Sequence, residues 1–138
     1  MKLTVHVLTP QSEVYKGEAD EIVVSTVNGE IGILPGHVSL LTQILPGELR
    51  IKNGGKTHLI AVLGGYVEVN KDQINILGDY AVRAEDIEIA KAEQAKARAE
   101  KAMQEKISQE DIATLRGELV KSILELKVAR KHRTGRPQ

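Results

Sequence analysis

The chain has 138 residues, with 19 Lys and Arg against 19 Asp and Glu, so its formal net charge is zero and no overall field draws it to nucleic acid or to an anionic membrane. Aromatic residues make up only 2%, which argues against modules that stack nucleic-acid bases on exposed rings. The absence of cysteine excludes disulfides and thiolate metal sites, and no apolar run approaches the roughly 20 residues of a membrane-spanning helix.

Through Ala84 the chain consists of short alternating apolar runs separated by turns, and its core has to be built from Val, Ile, Leu and Ala. Alternation with period 2 predicts half-buried strands. The predicted strands span residues 3–8, 21–27, 47–52, 56–63, 66–70 and 73–77, with turns at Asn28-Gly29, Pro35-Gly36, Pro46-Gly47, Asn53-Gly54-Gly55 and Asn70-Lys71-Asp72. Because no helix lies between them, we predict an antiparallel β-sandwich or flattened barrel and no parallel sheet.

Residues 29–37 differ from the other connections in this part of the chain. Four of these nine positions have residues with special backbone geometry, and apolar residues lie between them. Proline restricts the backbone at Pro35, and glycine frees it at Gly29, Gly32 and Gly36. This composition predicts a rigid, shaped loop instead of a flexible linker.

Beyond Ala84 the apolar spacing becomes helical. The first predicted helix runs from residue 87 to about 105, and Ser108 is the expected N-cap of the second. The expected seams are Ala92, Ala95, Ala99 and Ala102 in the first helix and Ile112, Leu115, Leu119, Ile123 and Leu126 in the second. We therefore predict a sandwich at residues 1–84 and an antiparallel helical hairpin at 85–138. Alanine buries little area, so the hairpin is expected to be detachable; the alternative is a hairpin that packs on the sandwich and stays there.

Charge is unevenly distributed along the helical part. Residues 85–126 carry ten acidic and seven basic side chains, whereas residues 127–138 carry five basic side chains and no acid. One or two cations would suffice to complement a helix dipole. Five indicate in addition an acidic partner surface or a frayed, solvated tail.

No constellation of residues predicts an active site. Gly55-Lys56-Thr57 lacks the earlier glycine and the following helix of a phosphate-binding loop, so it is interpreted as part of a hairpin turn. The four histidines lie far apart and have no partners at metal-ligand spacing. We therefore expect a protein that is not an enzyme and holds no metal.

The segment at 29–37, together with Gly64-Gly65-Tyr66-Val67-Glu68-Val69, Ile74-Asn75-Ile76-Leu77 and Arg83-Ala84-Glu85-Asp86-Ile87, closely resembles the ε subunits of F-type ATP synthases over nearly the whole chain. The resemblance implies a rotor element of the central stalk, whose sandwich grips the γ subunit and stands on the c-ring, coupling proton-driven rotation to ATP synthesis. It also implies that the contact residues are Glu30, Ile31, Gly32, Pro35, Gly36 and His37, with Glu30 toward the polar loops of the c-ring and His37 toward γ.

In this family the hairpin either folds against the sandwich or extends along γ into the catalytic head of α and β subunits. The resemblance implies that the basic part then meets acidic residues of a β subunit and blocks ATP hydrolysis, a role that falls here to Lys127, Arg130, Lys131 and Arg133.

Some bacterial members bind ATP through an Ile-Asp-x-x-Arg-Ala motif. Here the matching positions are Ile87, Glu88 and Lys91, with Arg98 as a further basic position. Lysine lacks the planar fork of arginine, so we expect weak or no ATP binding at millimolar concentrations and no obligatory cofactor.

Two other classes of function are less well supported by the sequence. A soluble ATP-sensing module would need an intact nucleotide motif, and a nucleic-acid module using the basic tail would need net positive charge or aromatic residues. The chain opens without a signal or transit peptide, which together with the remnants of the ATP motif favours the cytoplasmic face of a bacterial plasma membrane, with the membrane reached only through the c-ring.

Overall fold

The structure is a computed structural model that describes residues 1–105 and 107–134. It divides the chain into two compact units, Met1–Ala84 and Glu85–Gln138. The strands of the first unit are β1 (Leu3–Leu8), β2 (Glu13–Ala19), β3 (Glu21–Thr26), β4 (Gly29–Ile33), β5 (Leu40–Gln43), β6 (Gly47–Asn53), β7 (Lys56–Asn70) and β8 (Gln73–Arg83), and a short 3-10 turn, Ala84–Asp86, follows them.

The strands form a sheet in the order β2-β1-β8-β7-β6-β3-β4, with β5 paired to β7 outside this path. The long strand β7 pairs with β6 through Val62 and with β5 from Tyr66 onward, so its two halves belong to two different layers. The predicted sandwich followed by two helices is confirmed. The sheet is not closed, because β2 and β4 end its order, so a flattened barrel does not describe it.

Two glycines mark the point at which β7 passes between layers. Gly64 and Gly65 have φ angles of +73° and +116°, which side-chain-bearing residues rarely adopt. A Cβ atom at Gly65 would lie 2.0 Å from the carbonyl oxygen of Leu77 in the paired strand β8. The close approach of the two strands therefore depends on the absence of a side chain at this position.

The buried cluster between the layers is built from Leu, Ile, Val and Ala, with the partly buried Tyr15 packed against it. Each inward-facing strand contributes residues at every second position, which is the pattern expected of half-buried strands. The largest fully buried side chains are Leu3, Ile22, Ile33, Leu49, Ile51, Ile60, Ile74, Ile76, Val5, Val7, Val24 and Val62.

The antiparallel arrangement predicted for the strands has one exception. Strands β1 and β8 run parallel, with Thr4 opposite Gln73 and Leu8 opposite Leu77, while all the other neighbours are antiparallel. A parallel pair needs a long crossover connection. Here the six intervening strands supply it in place of a helix.

The local patterns did not predict β2 and β5. Strand β2 is an edge strand with the sequence EVYKGEA, and its charged residues and glycine interrupt any apolar alternation. Strand β5 has only four residues. Because β2 and β5 were not predicted, the predicted strands were too few for the sandwich. The sequence also did not indicate that β5 pairs with β7.

Two turns differ from their predictions in detail. Thr26 pairs with Gly29, so Val27 and Asn28 are the connecting residues, and Gly29 is already the first residue of β4. Gly47 begins β6 without a positive φ angle. Its role is close packing, because a Cβ atom there would lie 2.9 Å from the hydroxyl oxygen of Ser25.

The second unit consists of α1 (Ile89–Met103) and α2 (Gln109–Thr134), which pack against each other. The predicted N-cap of α2 is confirmed, since the hydroxyl of Ser108 accepts a hydrogen bond from the N–H of Asp111 at 3.2 Å. In the described residues neither helix has an apolar stretch long enough to cross a membrane.

The seam predicted for α2 is wrong at one position. Ile123 is about half exposed, and Ser122 is buried in its place together with Leu126 and Ala129. The spacing 122-126-129 alternates four and three residues, as packed helices require. The hydroxyl of Ser122 is satisfied by donation to the carbonyl of Glu118 at 2.9 Å, so this polar side chain can be buried at little cost.

Candidate functional site

The contact loop predicted at residues 29–37 is an edge strand followed by a turn. Glu30, Ile31 and Gly32 lie in β4, which pairs along its length with β3. Pro35, Gly36 and His37 lie beyond its end. The prediction of a loop was wrong for residues 29–33, which form β4. Glycine is disfavoured in strands, and two of these five residues are glycine, so the local sequence did not indicate a strand.

Glu30 is exposed but tethered. Its Oε1 atom lies 3.2 Å from Nη2 of Arg50, whose Nη1 lies 3.4 Å from Oε1 of Glu48. The Arg50 and Glu48 side chains are largely covered, whereas more than half of the Glu30 side chain faces solvent. The guanidinium therefore anchors an outward-facing carboxylate on the edge strand.

The turn after β4 has a defined geometry. The N–H of His37 donates to the carbonyl of Leu34 at 3.1 Å, and Gly36 has a φ angle of +87°. Proline at the second position and a glycine with positive φ at the third are typical of a type II turn. The N–H of Gly36 donates to Oδ1 of Asp72 in the β7–β8 turn at 2.8 Å, which ties this turn to a hairpin 36 residues away.

A group of large apolar side chains is exposed beside this turn. Leu41, Tyr66 and Leu77 lie on the outer surface of β5, β7 and β8, and Tyr66 is directly opposite Leu77. Leu34 and Val38 flank the turn, and each of the five side chains is more than half exposed. These five residues are referred to below as the apolar face. Exposed apolar side chains mark interaction sites on folded domains when they lie together, as Tyr66 and Leu77 do here.

A polar row borders the apolar face on the same layer. Register places His6 beside Asn75, and Asn75 beside Glu68. The Asn75 amide donates to Glu68 at 3.2 Å, and the His6 ring lies 2.7 Å from the Glu13 carboxylate. An apolar centre with a polar border is the usual anatomy of a protein–protein interface. The sequence predicted the hairpin that brings Tyr66 opposite Leu77, but it did not reveal this surface, because the pairings that add β5 and β1 to it are not local.

The basic residues predicted near the chain end lie on α2. The helix continues through Thr134, so the alternative of a frayed tail is wrong up to that residue, while Arg136 lies outside the described residues. Arg130 forms an ion pair with Glu93 of α1, with Nη2 3.4 Å from Oε1. Lys127 and Arg133 are exposed, and Lys131 is half-buried.

The residues of the altered nucleotide motif lie at the start of α1. Ile87 precedes the helix, Glu88 is at its N-cap position, and Lys91 lies in the first turn. The Lys91 ammonium is 3.4 Å from the Glu88 carboxylate, so the two charges partly neutralise each other. Arg98 is exposed two turns further along. Within residues 1–105 and 107–134 no group of His, Asp or Glu is arranged to hold a metal ion.

Comparison with known proteins gives a consistent result. Residues 2–84 match the family model for the ATP synthase delta/epsilon chain β-sandwich domain. An ATP synthase epsilon chain of Acidithiobacillus ferridurans is 41% identical over 133 residues, which cover 96% of this chain and 94% of the relative. The epsilon chain of Halalkalibacterium halodurans is 45% identical over 90 residues, covering 65% of this chain and 68% of the relative.

Two solved structures contain similar chains. A chain of the mitochondrial ATP synthase of Euglena gracilis superimposes with a TM-score of 0.67 at 21% identity, covering 97% of this chain and 81% of its own length. A chain of the central stalk and c-ring of the Tetrahymena thermophila mitochondrial enzyme gives 0.62 at 19% identity, covering 94% and 97%. At these identities the similarity establishes the shared fold.

Proposed function

The chain belongs to the ATP synthase epsilon chain family, and on this basis we propose that it couples the c-ring to the γ subunit in the central stalk of an F-type ATP synthase. As a member of that family it is a non-catalytic subunit of the complex. The proposed location is the cytoplasmic side of a bacterial plasma membrane, where the chain reaches the membrane only through the c-ring.

Two features support the proposed γ contact, namely the apolar face and the ordered turn that adjoins it. Leu41, Tyr66 and Leu77 project from paired strands, so a partner meets a surface that needs no rearrangement. His37 lies in the turn at the margin of this face, which supports its assignment to the γ side. A contact between two ordered surfaces can transmit torque because neither surface has to change its conformation when the rotor turns.

The proposed c-ring contact uses a different part of the sandwich. Glu30 lies on the edge strand β4 and points outward, held by Arg50 at 3.2 Å. An anchored charge on an edge strand fits polar loops better than an apolar partner, and it also protects the edge from unwanted strand pairing. The two contacts then lie on separate surfaces, as a subunit between two partners requires.

A pull-down against a matching γ subunit tests this function. We expect the full chain to retain γ, and a version lacking residues 85–138 to retain it too, because the apolar face belongs to the first unit. Failure of the full chain to bind γ would contradict the proposal. Loss of binding in the shortened version alone would move the γ contact to the helices.

The hairpin is proposed to inhibit ATP hydrolysis by entering the catalytic head, where α2 presents its cations to a β subunit. The ion pair that ties Arg130 to Glu93 is exposed on both sides, so it contributes only about 0.2–1 kcal/mol. The seam buries alanine and serine at several positions, including Ala92, Ala99 and Ser122. Both features support a small free-energy cost for separating the helices, as a two-state element needs.

Charge reversal tests the inhibitory role more cleanly than truncation near residue 126, since truncation also removes the buried Val128 and Ala129. We expect K127E/R133E to raise ATP hydrolysis by the assembled complex about 3- to 10-fold, because two exposed attractions become repulsions. A matched control, K101E/R116E, changes two exposed cations elsewhere on the hairpin and should leave the rate unchanged. Equal rates in both variants and the wild type would refute the assignment.

ATP is expected to bind weakly or not at all. The first-turn lysine, Lys91, is paired with Glu88 and lacks the bidentate geometry of arginine, which supports a poor phosphate site. Isothermal titration of the full chain with ATP up to millimolar concentration should therefore give little heat. A micromolar dissociation constant would overturn this expectation and favour an ATP-sensing role.

A further inference from the structure

Asp72 links three segments that are distant in sequence. Its carboxylate accepts the N–H of Gly36 at 2.8 Å, and its carbonyl accepts the N–H of Thr4 at 2.8 Å. Its neighbour Lys71 has a φ angle of +58°, the one positive φ among the described residues other than glycine. The β7–β8 turn therefore adopts an uncommon backbone conformation at the point where Asp72 reaches the turn after β4.

The segment that Asp72 holds has few other ties. Residues 34–39 lie between β4 and β5 and belong to neither strand. In the described structure three hydrogen bonds order this segment: the turn bond from His37 to Leu34, the bond from the His37 ring to the Val38 carbonyl, and the bond from Gly36 to Asp72. Only the last of these reaches outside the segment.

The same segment carries two residues of the apolar face. Leu34 and Val38 flank the turn and expose 55% and 75% of their surface. Because more than half of each side chain is exposed, its position depends chiefly on the backbone that bears it. A partner that buries them gains most when the backbone is already ordered, because ordering a loop on binding reduces the affinity.

We propose that Asp72 is a positioning residue, which holds residues 34–38 in the conformation that the γ subunit recognises. This inference rests on the proposed function, because it takes γ as the partner of the apolar face. Asp72 acts through the Gly36 N–H and does not need to touch γ itself.

A second aspartate in the chain provides a matched control. Asp20 accepts the N–H of Gly54 at 2.8 Å and so ties down the β6–β7 turn in the same way. This hydrogen bond, together with the Lys2 ammonium, lowers the pKa of Asp20, so its carboxylate is charged at neutral pH. Residues 53–55 carry no large apolar side chain, so loosening this turn should not affect the apolar face.

The experiment compares D72A, D72N and D20A in the full chain. Affinity for a recombinant γ subunit is measured by titration, and the Gly36 and Gly54 amides are followed by hydrogen exchange. We expect D72A to weaken γ binding about 5- to 10-fold and to speed exchange at Gly36. D72N should restore most of the affinity, because an amide oxygen accepts the same bond. D20A should speed exchange at Gly54 and bind γ like the wild type.

Three results would overturn the inference. If D72A binds γ like the wild type, the turn does not need its tether. If D72N is as weak as D72A, the carboxylate charge contacts γ directly. If D20A weakens binding as much as D72A, the effect is a general loosening of the sandwich. Absence of γ binding by the wild type would instead defeat the proposed function, and the positioning role with it, whereas the other three outcomes leave that function intact.

Discussion

Replacing Gly65 by alanine should destabilise the sandwich by more than about 4 kcal/mol, a loss at the extreme end for single substitutions. The added Cβ atom would lie 2.0 Å from the carbonyl oxygen of Leu77 and 2.8 Å from the Cα atom of Gly78. Both are backbone atoms of the paired strand, so no side-chain rotation relieves the clash. The φ angle of +116° adds strain for any residue with a side chain. Because small domains are stable by only about 5–15 kcal/mol, we expect unfolding at much lower urea concentration.

The control is the same substitution in a permissive place. Gly117 lies inside α2, and a Cβ atom there would meet nothing within 4 Å. G117A should therefore stabilise the helix by roughly 1 kcal/mol, because alanine has the higher helix propensity. Urea unfolding followed by amide signals from each unit would separate the two effects. If the sandwich of G65A were as stable as that of the wild type, β7 would not need a residue without a side chain where it passes between layers.

Charged substitutions on the apolar face should abolish γ binding under ordinary assay conditions. L41D and Y66D each place a carboxylate on the surface that is proposed to be buried against γ, L41D directly opposite Glu68 and Y66D directly opposite Leu77. Burying an unpaired charge is costly, and central apolar anchors carry most of the energy of an interface. We expect each variant to lose affinity by at least about 100-fold, equivalent to about 2.8 kcal/mol. Both side chains are more than half exposed in the free chain, so folding should be unaffected.

Conservative changes at the same two positions serve as controls. L41M preserves volume and hydrophobicity, and Y66F removes only a hydroxyl group, so both should bind γ within about 1.5 kcal/mol of the wild type. Titration with γ gives the affinities, and thermal unfolding verifies the fold of each variant. Wild-type affinity in L41D and Y66D would exclude this face as the γ contact and redirect attention to the outward surface of β4.

The two proposed contacts lie on different parts of the sandwich. The proposed γ contact uses the outer surface of the layer that contains β5 and β8, whereas Glu30 lies on β4 at one end of the strand order. Each contact is held by a distant residue, Asp72 for the turn and Arg50 for Glu30. Long-range tethers of this kind keep exposed segments ordered without burying them.

The amino-acid sequence by itself determined the class of fold. Alternating aliphatic residues require half-buried strands, and the change to helical spacing after Ala84 requires helices. The turns at Pro35-Gly36 and Gly54-Gly55 and the cap at Ser108 followed from residue type, and the structure has all three. These features depend on neighbours within a few residues, so one stretch of chain contains all the information needed to predict them.

The tertiary structure alone decided which surfaces exist. The parallel pairing of β1 with β8, the ion pair of Arg50 with Glu30 and the tether from Asp72 to Gly36 each join segments far apart in the chain. The apolar face is of the same kind, because its residues become neighbours only when β5, β7 and β8 pair. A local pattern of residues indicates only whether a side chain favours burial. Whether another segment then covers it depends on pairings across the whole chain, so Ser122 is buried while Ile123 remains exposed.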